Sequence, residues 1–376
     1  MGNQSDATGE GSFGYELGVL LRMTGYGMLH PKELLGSMGP TLNELTRGKL
    51  GKSFDPKEDI GDLSGKVILV TGGNAGLGKE TILQLAHHNP KRIYMAARSA
   101  SKARDAISSI KSSLPEPLSS TVEIKHLPLD LSSLASVKEA AEHFLRENDR
   151  LHLLILNAGL MAQPAVRSSD GYEIQLAVNH IGHFLLTQLL LPVLRQTATA
   201  GDGKDKQPDV RVVTVSSVAH NLAPSNSSPA AKDNFMQVIT STDTLLNIGT
   251  FDRYAFSKAA NILFAAELAR RHGDVLTSVS VHPGVVASNL YSTARQGLNR
   301  VGQSIFDACS GVVFRSVASG ARNQLWAAAG AEKHELTNGG YYAAVMHGIP
   351  KNRFATDADL GERLWKWTEG VVAKYL

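Results

Sequence analysis

Cysteine is almost missing from this chain. Cys309 stands alone among 376 residues, which excludes an internal disulfide and a cysteine-based zinc cluster and suits a reducing compartment. Net charge is also scarce: +3 with neutral histidines is too little to argue for nucleic acid or an anionic membrane surface. No basic run or cluster of stacking aromatics adds to it. Long hydrophobic runs are lacking too, none approaching the ~18 residues that read as a bilayer span. The opening MGNQSDATGEGSFGYELG has neither a basic stretch nor a long apolar core, so a secretory signal is not expected. It begins Met-Gly, but a myristoylation motif wants Ser or Thr at position 6, where Asp6 stands. The expected location is the cytosol.

What is present is the composition of a folded soluble protein, 43% hydrophobic and 19% charged. From Lys66 onward, short apolar β-branched runs alternate with helical patterns. KVILVTG (66–72), RIYMAAR (92–98), VEIKHLPLD (122–130), LHLLILNAG (151–159), VRVVTVSS (210–217) and LTSVSVHPG (276–284) read as strands, and GGYYAAVM (339–346) supplies a seventh. Between them, GKETILQLAHH (78–88), SLASVKEAAEHFLRE (133–147) and RYAFSKAANILFAAELARRHG (253–273) read as helices. Strands apolar on both faces with helical crossovers predict a doubly wound α/β fold of the Rossmann type. The expected sheet is mostly parallel, seven-stranded and covered on both faces. Residues 1–64 read as an N-terminal extension and 65–376 as a single dinucleotide-binding catalytic domain. Residues 197–209 form a polar surface loop, and insertions fall near 219–252 and 285–315.

The stretch KVILVTGGNAGLGKE (66–80) places Gly72, Gly73, Gly76 and Gly78 within seven residues, directly after a strand. An ordinary loop needs one or two residues that accept positive φ, not four. Strand, glycine-rich turn and helix is the arrangement that binds a dinucleotide pyrophosphate: the backbone approaches closely and the positive end of the helix faces the anion. The spacing, Thr71-Gly72-x-x-x-Gly76-x-Gly78, differs from the usual G-x-G-x-x-G.

That spacing resembles the short-chain dehydrogenase/reductase family, and residues 64–376 carry the family's other marks in order. LDLSS supplies Asp130, LNAG supplies Asn157, Ala158 and Gly159, AVNHIGHF supplies Asn179, and VSS supplies Ser217. YAFSK supplies Tyr254 and Lys258, and HPGVVAS supplies Pro283, Gly284 and Ser288. Within the family, NHIGHFLLT, SSVAH and the terminal GERLWKW are most similar to the retinol-dehydrogenase-like and WW-domain-oxidoreductase-like branch. The resemblance implies a cofactor set of Gly72, Asn74, Gly76, Leu77, Gly78, Arg98, Asp130, Leu131, Asn157, Ala158, Gly159, Tyr254, Lys258, Val286 and Ser288. Asp130 would lie against the adenine.

In NAD-binding members an acid ends the second strand and holds the adenosine ribose. Here Ala97 takes that place, Arg98 follows, and Lys102 adds a second charge. A guanidinium without the acid suits the 2′-phosphate of NADP(H), which it can grip with two charge-assisted hydrogen bonds. NAD(H) is the less favoured cofactor. Many NADP-binding relatives carry a basic residue before the second motif glycine, where this chain has Ala75.

Tyr254 and Lys258, four apart on a helical pattern, share one face. A free tyrosine has a pKa of about 10, and a neighbouring ammonium favours its phenolate and brings it toward the working range. The resemblance makes Tyr254 the general acid/base, Lys258 its modulator and a ribose ligand, Ser217 the group that orients the substrate carbonyl, and Asn179 the anchor of a proton-relay water. Ser216 competes with Ser217; the family uses the second serine. Asn179 alone could equally be a capping or core amide. His180, His183 and His220 lie near these motifs without acidic partners at metal-ligand spacing, and no metal is expected.

Thirty-six residues separate Ser217 from Tyr254, a longer link than most of the family has. Pro224, Ser225, Phe235, Met236 and Leu245 in this insertion are expected to form one apolar wall of the substrate pocket. Leu290, Tyr291, Val301, Ile305 and Phe306 would form another, unless they serve a core or dimer face. The expected activity is hydride transfer between NADP(H) and a lipophilic ketone, aldehyde or alcohol, with a reduced cytosolic NADP pool favouring reduction. A dinucleotide-sensing regulatory protein is the alternative on the same fold, although such relatives typically lose the tyrosine or the lysine. An epimerase or dehydratase fits less well, because the sugar-nucleotide branch spaces its glycines T-G-x-x-G-x-x-G. A homo-oligomer is the family's habit.

Overall fold

A computed structural model describes residues 54–200, 208–224, 228–284, 286, 316–344, 347–348 and 352–376. Seven parallel strands lie in the order β3-β2-β1-β4-β5-β6-β7: β1 Val67–Thr71, β2 Arg92–Ala97, β3 Glu123–Pro128, β4 Leu153–Leu156, β5 Arg211–Val215, β6 Thr277–Val281 and β7 Tyr341–Ala344. Beyond the seven expected strands, a two-residue β8 (His347–Gly348) pairs antiparallel with β7 at the edge. The central strands β1, β4, β5 and β6 are buried along their whole length, the condition that makes a strand read as a continuous apolar run. Edge strand β3 buries only Ile124 and Leu127.

Two helical layers cover the sheet. On one face lie α1 (Gly76–Ala86), α2 (Ala100–Ser113) and, later in the chain, the helix Val317–Leu325. Ile82, Leu85, Ala106, Ile110 and Leu325 from these share a core with Ile68, Val70, Val213 and Val279. On the other face lie α3 (Leu134–Glu147), α4 (Ile174–Thr199) and α7 (Thr250–His272), separated in sequence by α5 (Pro229–Ile239) and α6 (Thr242–Leu246). The Val317–Leu325 helix is α8, and α9 (Ala358–Val372) lies over α7. Every residue of α7 from Arg253 to Ala269 is buried, because that helix has the sheet on one side and α9 on the other.

α4 has the length and apolar composition of a membrane span, which the run-length reading of the sequence did not register. Its most apolar window is 72% buried within the fold, so it serves as a core helix here. Its turn at Ala177–Ile181 is π-helical and carries Asn179. Of the extension, residues 1–53 lie outside the described residues. Phe54, Ile60 and Leu63 are buried against the α1/α2 side, and the Leu63 N–H donates to His88 O at 2.8 Å.

The insertion after β5 folds as α5 and α6, and Phe235, Met236 and Leu245 within it do not line the cleft. Phe235, Met236 and Leu245 sink into the core, the Phe235 ring lying 5.1 Å from Phe256 and 5.8 Å from Phe354. The wall assigned to these three therefore becomes core packing. Ser225, and all of 285–315 except Val286, lie outside the described residues, as do Ser288, Leu290, Tyr291, Val301, Ile305, Phe306 and Cys309.

Candidate active site

Strand order reverses between β1 and β4, and a doubly wound sheet binds ligands in the crevice beyond the carboxyl ends of the strands at that point. A cleft of about 550 Å³ lies there. The glycine turn forms its floor. Gly72 and Gly76 adopt φ of +66° and +50°, values that side chains resist. Gly78 is required for another reason: a Cβ on it would lie 2.3 Å from Gly72 O and 2.6 Å from Asn157 Nδ2. The close approach is thus made first by the protein on itself, folding the turn tightly enough to start α1 at its mouth. Ala75 gives α1 no side-chain cap, so the helix presents its first N–H groups and the positive end of its dipole to the cleft.

Beside the turn, Asn157 Nδ2 donates to Thr71 O at 2.9 Å, and its Oδ1 accepts from Gln324 Nε2 of α8 at 3.2 Å. Ala158 N–H donates to Thr71 Oγ1 at 3.0 Å. Arg98 extends from the end of β2 with its side chain 79% exposed, 3.9 Å from Asp130 Oδ2. A pair that long and that open holds the guanidinium weakly and leaves it free to meet an anion. Asp130 Oδ1 is engaged by Ser132, through its N–H at 2.9 Å and its hydroxyl at 2.6 Å. Ala97, Arg98 and Lys102 all line this end of the cleft, with no carboxylate at position 97.

The far end holds Ser217, Tyr254 and Lys258. Ser216 and Ser217 part company here: Ser216 Oγ donates to Lys258 O at 2.7 Å and works as a brace, while Ser217 accepts the Ala219 N–H at 3.2 Å. Lys258 Nζ donates to Val215 O at 3.0 Å, an oxygen shared with Asn261 Nδ2, and lies 5.6 Å from the centre of the Tyr254 ring. Burial, with no carboxylate beside it among the described residues, pushes the Lys258 ammonium down to about 7. The Tyr254 ring is buried among Met161 and Ala219, with Ala162 and Phe251 beside them.

Of the residues singled out in the sequence, the cleft is lined by Gly72, Asn74, Gly76, Leu77, Arg98, Asp130, Leu131, Asn157, Ala158, Gly159, Ser217, Tyr254, Lys258 and Val286. Gly78 and Asn179 lie behind that lining. The Asn179 carboxamide accepts from Leu160 N–H at 2.7 Å and donates to Leu160 O and Ser257 Oγ, each at 2.9 Å. It braces the loop after β4 against α7.

Other residues were not singled out at all. Arg253, immediately before Tyr254, is completely buried with Glu173, Nε to Oε1 at 3.3 Å. Its Nη1 and Nη2 donate to Ile248 O at 2.6 Å and Gln163 O at 2.9 Å. Glu173 in turn accepts the Leu176 N–H at 2.8 Å at the start of α4, and burial raises its carboxyl. A single ion pair therefore ties α4, α7 and the loop that follows β4. An arginine directly before a candidate catalytic tyrosine was the available signal. The histidines are braces as well. His180 Nε2 lies 3.0 Å from Thr368 Oγ1, and Phe184 meets Trp365 edge-on at 4.8 Å, so the NHIGHF and GERLWKW segments pack on one another.

A parallel sheet with a glycine turn at its switch point, and a serine, tyrosine and lysine at the far end of the same cleft, defines a dinucleotide-dependent oxidoreductase of the Rossmann class. The short chain dehydrogenase family model matches residues 66–231. The chain is 36% identical over 326 residues to the short-chain dehydrogenase/reductase drtF of Aspergillus calidoustus, covering 83% of this chain and 95% of that one. It is 36% identical over 304 residues to mouse retinol dehydrogenase 12, covering 81% and 85% of the two chains. A crystal structure from Mycobacterium paratuberculosis superposes with a TM-score of 0.59 at 27% identity, covering 84% of this chain and 97% of that one. The chain belongs to the short-chain dehydrogenase/reductase family, in its retinol-dehydrogenase-like branch.

Proposed function

We propose that this protein is an NADP(H)-dependent oxidoreductase interconverting a lipophilic ketone or aldehyde and its alcohol, with Tyr254 as general acid/base. The reading is carried by the convergence of Ser217, Tyr254 and Lys258 on the dinucleotide cleft. The glycine turn and the uncapped start of α1 hold the pyrophosphate, and Arg98 with Lys102 receives the 2′-phosphate. When bound, the nicotinamide supplies or accepts hydride. Ser217, already accepting from Ala219, has its hydroxyl proton to give to the substrate oxygen, where negative charge grows. Tyr254 passes a proton to that oxygen in reduction and takes it in oxidation. Lys258, held in place by Val215 O, favours the phenolate when charged. Asn179 fixes the loop that carries Leu160 across the cleft.

The apolar setting of Tyr254, with Met161, Ala219 and Phe251, supports a lipophilic substrate, and the mouse relative named for retinol points the same way. The test is a panel of ketones, aldehydes and alcohols assayed with both cofactors. Purified protein should quench and blue-shift NADPH fluorescence. Tyr254→Phe should keep that binding while turnover falls by roughly a hundredfold or more. Equal turnover by the two proteins would remove Tyr254 from the mechanism.

A further inference from the structure

We propose that His220, as its Nδ1–H tautomer, is the positioning residue that sets Ser217, and that Asn352 in the C-terminal segment fixes that tautomer. The inference rests on the reading of Ser217 as the hydrogen-bond donor to the substrate oxygen.

Ser217 is the last extended residue before a single 3-10 turn, Val218–Leu222. Its carbonyl accepts the backbone N–H of His220 at 3.1 Å and lies 2.6 Å from His220 Nδ1. A carbonyl only accepts, so Nδ1 must carry a proton. On the other side of the ring, Nε2 lies 3.1 Å from Asn352 Nδ2. The orientation of that amide is set independently, because Asn352 Oδ1 accepts the N–H groups of Phe354 at 3.0 Å and Ala355 at 3.2 Å. Nδ2 is therefore the donor facing the ring, and Nε2 must accept. The two ends of the imidazole give the same tautomer by separate arguments.

The clamp has a second arm. Arg353 Nη2 donates to Ala223 O at 2.7 Å and Asn221 O at 3.1 Å, closing the C-terminal segment over the turn. The ring is sealed by Tyr341 and Phe354, with centroids 5.0 and 5.7 Å away, and among the described residues Arg353 is the charged group that faces it. Burial, with that charge adding to it, pushes His220 down to about 3 and keeps it neutral. The turn itself needs no histidine to form. What the imidazole adds is a rigid link from the carbonyl of the candidate catalytic serine to a segment 132 residues further along the chain. Because Ser217 Oγ is occupied as an acceptor by Ala219, fixing its backbone fixes the direction in which the hydroxyl proton can be given.

The experiment uses the full chain labelled with 15N-histidine. In the wild type, His220 should show a protonated Nδ1 and a bare Nε2 from pH 5 to 9. A protonated Nε2 would overturn the proposal without any variant. Asn352→Asp turns a carboxylate on Nε2 and should make the ring cationic, bringing its titration into the neutral range. Turnover of that variant should become pH-dependent and fall about 10- to 100-fold, while the NADPH Kd stays within about twofold. His220→Gln should show the same loss of turnover with retained NADPH binding. If both variants turn over as the wild type does, or if their NADPH affinity and melting temperature fall in step with turnover, His220 is only a structural support. Ser217→Ala separates the two ideas. A fully active Ser217→Ala removes the serine reading and this inference together, whereas an inactive Ser217→Ala beside active His220 and Asn352 variants removes this inference alone.

Discussion

His183 Nε2 lies 2.9 Å from Thr71 Oγ1, joining the helix that carries Asn179 to the end of the strand that opens the glycine turn. The directions of the bonds are determined. His183 Nδ1 faces Asn179 O at 3.0 Å and must donate, so Nε2 accepts the Thr71 hydroxyl proton, and that hydroxyl accepts the Ala158 N–H at 3.0 Å. Burial pushes His183 down to about 4, which keeps the ring neutral and the chain of bonds intact through the physiological range. Thr71→Val leaves the buried His183 Nε2 and the half-buried Ala158 N–H without partners and should destabilise the protein by about 1–3 kcal/mol. Thr71→Ser keeps the hydroxyl and should remain within about 1 kcal/mol of the wild type. Denaturant midpoints of the two variants check this, and equal losses would show that the methyl matters rather than the bond.

The glycines separate by position. Gly78→Ala would set a Cβ 2.3 Å from Gly72 O, a backbone atom that cannot swing away. The turn should open, costing about 1–3 kcal/mol and weakening NADPH binding at least about tenfold. Gly370 lies in α9 with nothing within 4 Å of its Cβ position, so Gly370→Ala should stabilise by about 0.5–1 kcal/mol and leave binding unchanged. Fluorescence titration beside thermal melts distinguishes the two sites.

Arg98→Ala bears on the cofactor. With its side chain 79% exposed and only a long contact to Asp130, the guanidinium contributes little to stability. Its loss should cost NADPH about tenfold or more in affinity, the worth of a charge-assisted hydrogen bond, and NADH far less. Equal losses for the two nucleotides would argue against a 2′-phosphate contact.

Much of this was legible in the chain, for reasons tied to particular residues. Val67 to Thr71 are buried on both faces, so an uninterrupted apolar run had to be a central strand. Gly72, Ser217, Tyr254 and Lys258 were readable because their spacing is tied to the ends of β1 and β5 and to one face of α7. What was not legible depended on distant partners. Phe235 looks the same in sequence whether it faces a substrate or a core, and Phe354, 119 positions away, decides it. Asn179 also spends carboxamide bonds on Leu160 and Ser257, partners that no local pattern announces. α2 keeps only Ala103, Ala106 and Ile110 buried among its serines and charges, a weak periodic signal. The Arg253–Glu173 pair joins positions eighty residues apart, and no local pattern announces it.

Lys258 gives a pH-dependent outcome whose sign can be worked out. Its pKa is about 7 in the fold and 10.5 in the free side chain, so between those values the unfolded chain binds more protons than the native protein. Stability contributed by this group therefore rises with pH across that window, by about 1.4 kcal/mol per pH unit. Below about pH 7 both states are charged, and the full penalty of burying the ammonium applies. Lys258→Met removes that penalty while keeping a similar volume, so the variant should be more stable than the wild type at pH 6–7. Its advantage should shrink steadily as pH climbs toward 10. On the proposed mechanism its turnover should be abolished over the same range, because a thioether could neither hold a phenolate nor bond a ribose. Chemical denaturation of both proteins at several pH values measures the difference, and a gap independent of pH would mean that Lys258 keeps its proton in the fold.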